Sequence, residues 1–458
     1  MSLYSEYQRL LEQGWQGVFA QRRTHRRAIQ HALAWPSLLG RRTISRLICA
    51  LGRQLVDWSA DYRLFSRSPW NPDRLFRPVV QEFLARYPRG PVPVALDDTS
   101  LRKTGKHIPH TGWQYDHMSP PFHANLLYGL RFLSAGLLFP HYREGDYSAR
   151  SFPVRFRLAP FLKRPGKRAS SRQRRQYERN KKLLNLSTRA LALIGDLRRA
   201  LDREGAHGRT LLVVGDGSFC NQTLFRPLLK GVRLIARCRK DARLCRAASA
   251  DSRRFYSAHK FTPEQVRQDG RYRWSSTVVY YGGRRRRIRF KQIKPLYWQR
   301  GANRRPLRLI VIAPQPYRLS PNARTLYRQP AYLLTTDLRT SATCLIQSYL
   351  DRWQIEVNHR DQKQLLGAGQ AQVWNPLSVP RHPAFVVACH SLLLLAALRC
   401  FGPGRNDAFL PLPRWRKNTK RPSLLDLIAL LRCQINEASN SSSNIPPISQ
   451  NSLAYAYT

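Results

Sequence analysis

Acidic side chains are what this chain has least of. Its 458 residues hold 27 Asp and Glu against 79 Lys and Arg, a formal net charge of +52. Such an imbalance calls for a polyanionic partner, bound with steep salt dependence because each neutralised phosphate releases a counterion. The basic residues run along the whole chain and are not gathered into a polybasic anchor, which counts against a membrane and for nucleic acid. Paired-cysteine spacing is missing too. None of Cys49, Cys220, Cys238, Cys245, Cys344, Cys389, Cys400 and Cys433 forms a CxxC. That argues against a zinc cluster or a disulfide framework and for reduced, mostly buried thiols. The opening MSLYSEYQRL lacks the charged-then-apolar order of a signal peptide. The most apolar run, residues 384–398, contains His390. It is shorter than the roughly 20 residues of a membrane span and reads as a buried helix. No internal repeat is visible. The expected location is cytoplasmic, on the nucleoid.

What is present is organised around residues 349–363, YLDRWQIEVNHRDQK. At about 100° per residue, a helix here places Tyr349, Arg352, Glu356 and Lys363 within an arc of roughly 60°. Ile346, Leu350, Trp353 and Val357 follow on the neighbouring face, which is expected to lie on a core. Taken alone, the polar stripe also fits an ordinary surface helix with Arg–Glu pairs.

Elsewhere the chain divides by composition. Residues 1–90 read as helical. Arg22, Arg23, Arg26 and Arg27 lead an apolar-periodic segment, a break follows at 36–40, and a second segment covers 41–55. This is compatible with a helix-turn-helix for DNA ends and with a plain basic bundle. Trp58, Tyr62, Phe65, Trp70 and Phe76 would give the region a small core of its own. Residues 91–240 read as an α/β core. PVPVAL is a buried strand ending at Asp97-Asp98, and residues 123–141 form two more strands. Residues 163–182 carry ten cations against the single acid Glu178. Their mutual repulsion calls for nearby phosphates. A long helix then runs to Leu201, a strand at 210–215 ends in Asp216-Gly217, and a short helix and a strand follow at 224–229 and 232–236. Residues 241–335 read as a β-rich insert, including a hairpin tipped by Gly282-Gly283 and four arginines. Helices return over 336–400. Residues 401–458 hold one more helix, at 423–431, and from Asn436 a polar, low-complexity stretch expected to be disordered. The order of elements is that of an RNase H-like mixed sheet interrupted by the insert before its last helix. It puts Asp98 and Asp216 at carboxyl ends of strands, where α/β sheets carry polar sites.

The spacing of Tyr349, Arg352, Glu356 and Lys363 resembles the Tyr-Arg-Glu-Lys signature of bacterial insertion-sequence transposases with a DDE triad. With the upstream acids, the resemblance spans residues 98–363. It implies that Asp98, Asp216 and Glu356 are catalytic and hold two Mg²⁺ ions, with Mn²⁺ as a substitute. It implies that Tyr349, Arg352 and Lys363 contact DNA, and that an aromatic of the insert, Trp298 or Trp274, stacks on a flipped base. It further implies a homodimer acting on double-stranded transposon ends and target DNA, away from any membrane. Asp98 is preferred as first acid because it precedes Thr99. Its neighbour Asp97 is the rival, and alternation along a strand points the two to opposite faces.

The chemistry is independent of the resemblance. In-line displacement at a phosphodiester is served by two metal ions about 4 Å apart. Mg²⁺ takes hard oxygen ligands, and three acids from three separate elements of an acid-poor chain supply them. The expected function is a cut-and-paste transposase. An RNase H-like nuclease and a catalytically silent DNA-binding derivative are the alternatives. The large insert and the Tyr–Arg–Glu–Lys stripe count against the nuclease, and the intact acids against the silent derivative.

Overall fold

The computed structural model describes residues 2–441 except 117–119, 121, 123–124, 144–145, 321 and 417–419. It starts with five helices, α1 (Leu3–Gly14), α2 (Arg22–Ala34), α3 (Ile44–Ala50), α4 (Ser59–Ser66) and α5 (Arg77–Arg86). Side-chain caps start two of them: the Ser5 amide donates to Ser2 and the Arg46 amide to Thr43. These helices do not build a separate core, contrary to expectation. The rings of Trp15 and Phe65 each lie 5.4 Å from that of Phe385, far along the chain. Aromatic pairs of this kind add about 0.5–1.5 kcal/mol beyond their burial, so the helical region is welded to the C-terminal part of the chain.

Next come β1 (Val92–Arg102), β2 (Gly112–Tyr115), β3 (Leu126–Arg143) and β4 (Asp146–Leu158). The two strands expected at 123–141 are one long strand, bulged at Ala135/Gly136 where it pairs with β4. β4 hides in the sequence because arginines alternate with its apolar residues. Arg155 and Arg157 are offset by Asp73, and Arg157 also donates to Asp196 at 2.5 Å. The long helix expected to run from the second half of 163–182 to Leu201 breaks at Asn185 into α6 (Ser171–Leu184) and α7 (Leu186–Arg203), because the Asn185 side chain accepts from the Thr188 amide and starts a new helix. Then follow β5 (Leu211–Gly215), α8 (Gln222–Phe225) and β6 (Val232–Arg237). β1, β5 and β6 are parallel, β3 is antiparallel to β1, and β4 to β3. The order β4-β3-β1-β5-β6 with a helical crossover is RNase H-like.

The section expected as an insert is β-rich, and most of it extends the same sheet. β7 (Leu244–Ala247) and β8 (Tyr256–Phe261) pair by themselves; α9 (Pro263–Gln268) follows. β9 (Ser275–Tyr281) and β10 (Arg284–Leu296) make the basic hairpin. Gly282 and Gly283 supply its positive φ angles of 62° and 71°. After α10 (Gln299–Ala302) come β11 (Leu307–Ile312), the short pair β12 (Pro316–Tyr317) and β13 (Leu326–Tyr327), and β14 (Ala331–Thr335). β14 pairs with β6, and β11, β10 and β9 continue outward.

The last helices are α11 (Ala342–Asp351), α12 (Gln354–Gln364), α13 (Ser378–Phe401) and α14 (Leu424–Ser441). α11 covers one face of the sheet, with Leu345 and Ile346 on Val214, Ile235, Ile310 and Leu333. The opposite face packs into the main core with α7 and α13. α13 is 24 residues, longer than its apolar run suggested and long enough to cross a membrane. It is buried along most of that length inside the protein. α14 stays helical to Ser441, so residues 436–441 are not a disordered tail; 442–458 lie outside the described residues.

Candidate active site

The site forms where β1, β5 and the α11–α12 junction meet. α11 and α12 are one expected helix divided at Arg352-Trp353. Around the junction, amides bond three residues back: Trp353 to Leu350 at 3.3 Å, Ile355 to Arg352 at 2.9 Å and Glu356 to Trp353 at 3.1 Å. Tightening of this kind in mid-helix marks strained or functional positions. It also re-aims the faces. Trp353, expected on the core, is 58% exposed, and Ile355 is buried instead.

Ile355 fixes the register of the site. It packs on Ala95 of β1 and Leu138 of β3. Alternation puts Asp97 on the same face of β1 as Ala95, beneath Arg352 and Glu356. Arg352 donates to Asp97 Oδ2 at 3.4 Å and to Glu356 Oε1 at 2.9 Å. Burial drives the Asp97 carboxyl up to about 7; Arg352 pulls against this, and the charge of Asp216 adds to it. Glu356 is raised for the same reasons in the same order: burial, partly countered by Arg352, then reinforced by Asp216.

Asp216 follows β5 directly. One of its oxygens accepts from the Ser218 amide at 3.0 Å and hydroxyl at 2.6 Å, which caps a short 3-10 turn. Gly215 must lack a side chain, since a Cβ there would stand 2.8 Å from that of Phe219.

Asp98 faces the other way. Arg131 of β3 clamps it with two bonds, 2.7 and 3.1 Å long. The structure thus brings together Asp97, Asp216, Glu356 and Arg352, with Asp97 standing where Asp98 was expected. Alternation had separated the two neighbours; the apolar side chain that chooses between them, Ile355, lies about 260 residues further on.

Tyr349 is half-buried on α11. Burial raises its hydroxyl, countered by Arg352 and Arg237 and reinforced by Asp216 and Glu356. Arg237, at the end of β6, is a cation that the sequence reading missed. Lys363 is exposed, although the protein crowded around its ammonium lowers it; Asp116, Asp97 and Asp98 oppose that shift. Trp298 is half-buried against the core: its ring stands edge-on to Phe225 at 6.0 Å and fills the space above Gly301. Trp274 lies against Lys291, 4.7 Å from its ring centre. Asp351, inside the signature stretch, plays no part in the cluster. It accepts from Tyr147 and, at 2.9 Å, from Gln347, and burial pushes it to about 6.

Among the described residues, no three His, Cys, Asp or Glu side chains stand close enough together to hold a metal ion. The carboxylates of Asp97 and Glu356 are balanced by Arg352. The donors themselves are hard carboxylate oxygens, the type a small divalent cation takes.

β1 runs on to Arg102, so Asp97 lies in mid-strand and not at the strand end expected; only Asp216 follows a strand directly. An RNase H-like sheet with acids on its first strand, just past the next parallel strand and on the covering helix defines a class of nucleic-acid-cutting enzymes. The chain belongs to the DDE superfamily endonucleases, whose family model matches residues 17–305. That match supports a transposase or nuclease function in general, with DNA as substrate. It ends before Glu356, so the third acid rests on the geometry of the α11–α12 junction. No curated protein matches the chain.

Proposed function

We propose that this protein is a transposase. It binds the ends of its own element and cuts and joins DNA in a cut-and-paste reaction, as a homodimer on double-stranded DNA in the bacterial cytoplasm. The observation that carries the site is the single guanidinium of Arg352 reaching both Asp97 and Glu356, with Asp216 close enough to raise both acids. In this reading Asp97, Asp216 and Glu356 hold two Mg²⁺ ions. When bound, these would stabilise charge on the phosphate and lower the pKa of attacking water. The chain's own residues do the rest. Arg352 offsets the repulsion between Asp97 and Glu356 and is placed to turn to a phosphate. Tyr349 and Lys363 flank the acids and position the strand. The α11–α12 junction holds the geometry through Ile355.

The test is Mg²⁺-dependent nicking of DNA carrying the inverted repeats that flank the coding region. Asp216→Ala and Glu356→Ala should abolish it while duplex binding persists. An active Glu356→Ala enzyme would sink the three-acid mechanism.

A further inference from the structure

The helix α6 has no buried residue at all. Six of its fourteen residues are cations, Arg172, Arg174, Arg175, Arg179, Lys181 and Lys182, and all six are exposed. Four more exposed cations, Lys163, Arg164, Lys167 and Arg168, lie in the loop before it. The one acid, Glu178, has Lys181 within ion-pair reach, at 3.9 Å. Arg174 folds back onto the Lys167 and Ala169 carbonyls and ties loop to helix.

Nothing in this arrangement favours a solvated helix standing alone. Arg172 and Arg175, and Arg175 and Arg179, repel at helical spacing. Three arginines also crowd the first turns, where the helix dipole disfavours positive charge. What keeps it helical is local: the Ser170–Gln173 capping box and the join to α7.

That join is tied to the site. Asp216 accepts from Ser218; Asn221 donates to the Ser218 carbonyl at 2.8 Å and to Ser187 Oγ at 2.9 Å. Ser187 lies in the first turn of α7, three residues after α6 ends. The basic helix therefore springs from beside the second acid. It is roughly 21 Å long, and a duplex presents about a dozen phosphate charges over that length.

We infer that α6 is a sequence-independent phosphate grip for duplex DNA lying across the acid site. The inference rests on the proposed function for its substrate and names a contact outside the acid cluster. The experiment measures binding of the full-length protein to a short duplex of arbitrary sequence across a KCl series. The variant replaces all six α6 cations by Gln, and its melting temperature is measured in parallel. We expect the slope of log K against log salt to become shallower by about two units or more, affinity to fall at least about tenfold at moderate salt, and melting to be unchanged. If that variant fails to fold, R172Q/R175Q/R179Q supplies the same readout with a smaller change.

An unchanged slope and affinity in a folded variant would overturn the inference. So would loss of binding to phosphatidylserine vesicles with duplex binding intact, which would make the partner a membrane. Asp97→Asn, run alongside, separates the two ideas. A shallow α6 slope beside an Asp97→Asn protein that still nicks would keep the grip and remove the proposed site. A dead Asp97→Asn beside an unaltered α6 slope would do the reverse.

Discussion

Two aspartates, one buried in the N-terminal helices and one half-buried in the sheet, are held in opposite ways. Asp61 of α4 is almost wholly enclosed. Three donors converge on one of its oxygens: Arg27 at 3.1 Å, His31 at 2.8 Å and Arg53 at 2.9 Å. Burial would raise its carboxyl, but those neighbours outweigh burial and leave it below the usual aspartate range. Asp97 is half-buried and receives much less: its neighbour's amide at 2.8 Å and one long bond from Arg352. Burial wins there, and the carboxyl rises to about 7. The acid that joins helices together has two arginines and a histidine on one oxygen. An acid left short of positive charge has capacity for a cation that the protein does not provide.

The comparison is broken most directly by exchanging the two phenotypes. Asp97→Ala should lower nicking at least about a thousandfold and, at neutral pH and above, leave the protein no less stable than the parent, because the ionised carboxylate it removes costs stability there. Asp61→Ala should do the opposite. It leaves Arg27 and Arg53 facing each other around a buried histidine, and breaking such a pair costs about 3–5 kcal/mol. Urea unfolding and a per-molecule nicking rate on both variants check the pair of claims. An Asp61→Ala protein as stable as the parent would erase the distinction.

The pH dependence sharpens it, because the two acids have opposite signs. The Asp61 carboxyl is depressed on folding. Its contribution is fully present above the unfolded value near pH 4 and is lost as pH falls through the folded value. The Asp97 carboxyl is raised. The folded protein holds that proton more tightly than the unfolded chain, so its contribution is lost as pH rises from about 4 to 7. Asp97→Asn should therefore be more stable than the parent at pH 8, by on the order of 3 kcal/mol, with the gap closing towards pH 4. Asp61→Asn should show its deficit at neutral pH and narrow it in acid. Unfolding free energies measured across that range, without divalent ions, would contradict the account if both variants moved in the same direction.

The sequence disclosed those parts of the site whose cause is local. Asp216 follows a five-residue apolar strand and precedes Gly217, so both strand and turn are written nearby. Arg352 and Glu356 follow from helical spacing, which survives the break between α11 and α12. The features that escaped have distant causes. β4 reads as a charged segment because the acids that neutralise its arginines, Asp73 and Asp196, come from other elements. The exposure of Trp353 follows from a tightened turn that no residue there signals. Trp298 sits in a β-rich stretch, where position alone suggests a stacking ring, yet its partner Phe225 is far away in sequence. The choice between Asp97 and Asp98 depends on which face of β1 receives Ile355.

That choice also sets the smallest effect expected. Asp98 and Arg131 form a two-bond pair whose side chains are 20% and 33% exposed. Partly solvated pairs of this kind are worth about 1 kcal/mol or less. Two bonds to a fixed guanidinium place this one near the top of that range. Asp98→Ala should thus lower stability by about 1 kcal/mol and leave nicking within a few-fold of the parent, because the lost carboxylate lies across the strand from Arg352 and Glu356. Arg131→Ala should match it in stability, since either change breaks the same pair, and the double variant should cost little more than each single one. Such a double-mutant cycle isolates the pair from the rest of the sheet. A dead Asp98→Ala enzyme beside a live Asp97→Ala one would turn β1 over and return the first acid to Asp98. Full activity in Asp98→Ala, with a stability loss shared with Arg131→Ala, would leave Asp98 as a clamp between β1 and β3.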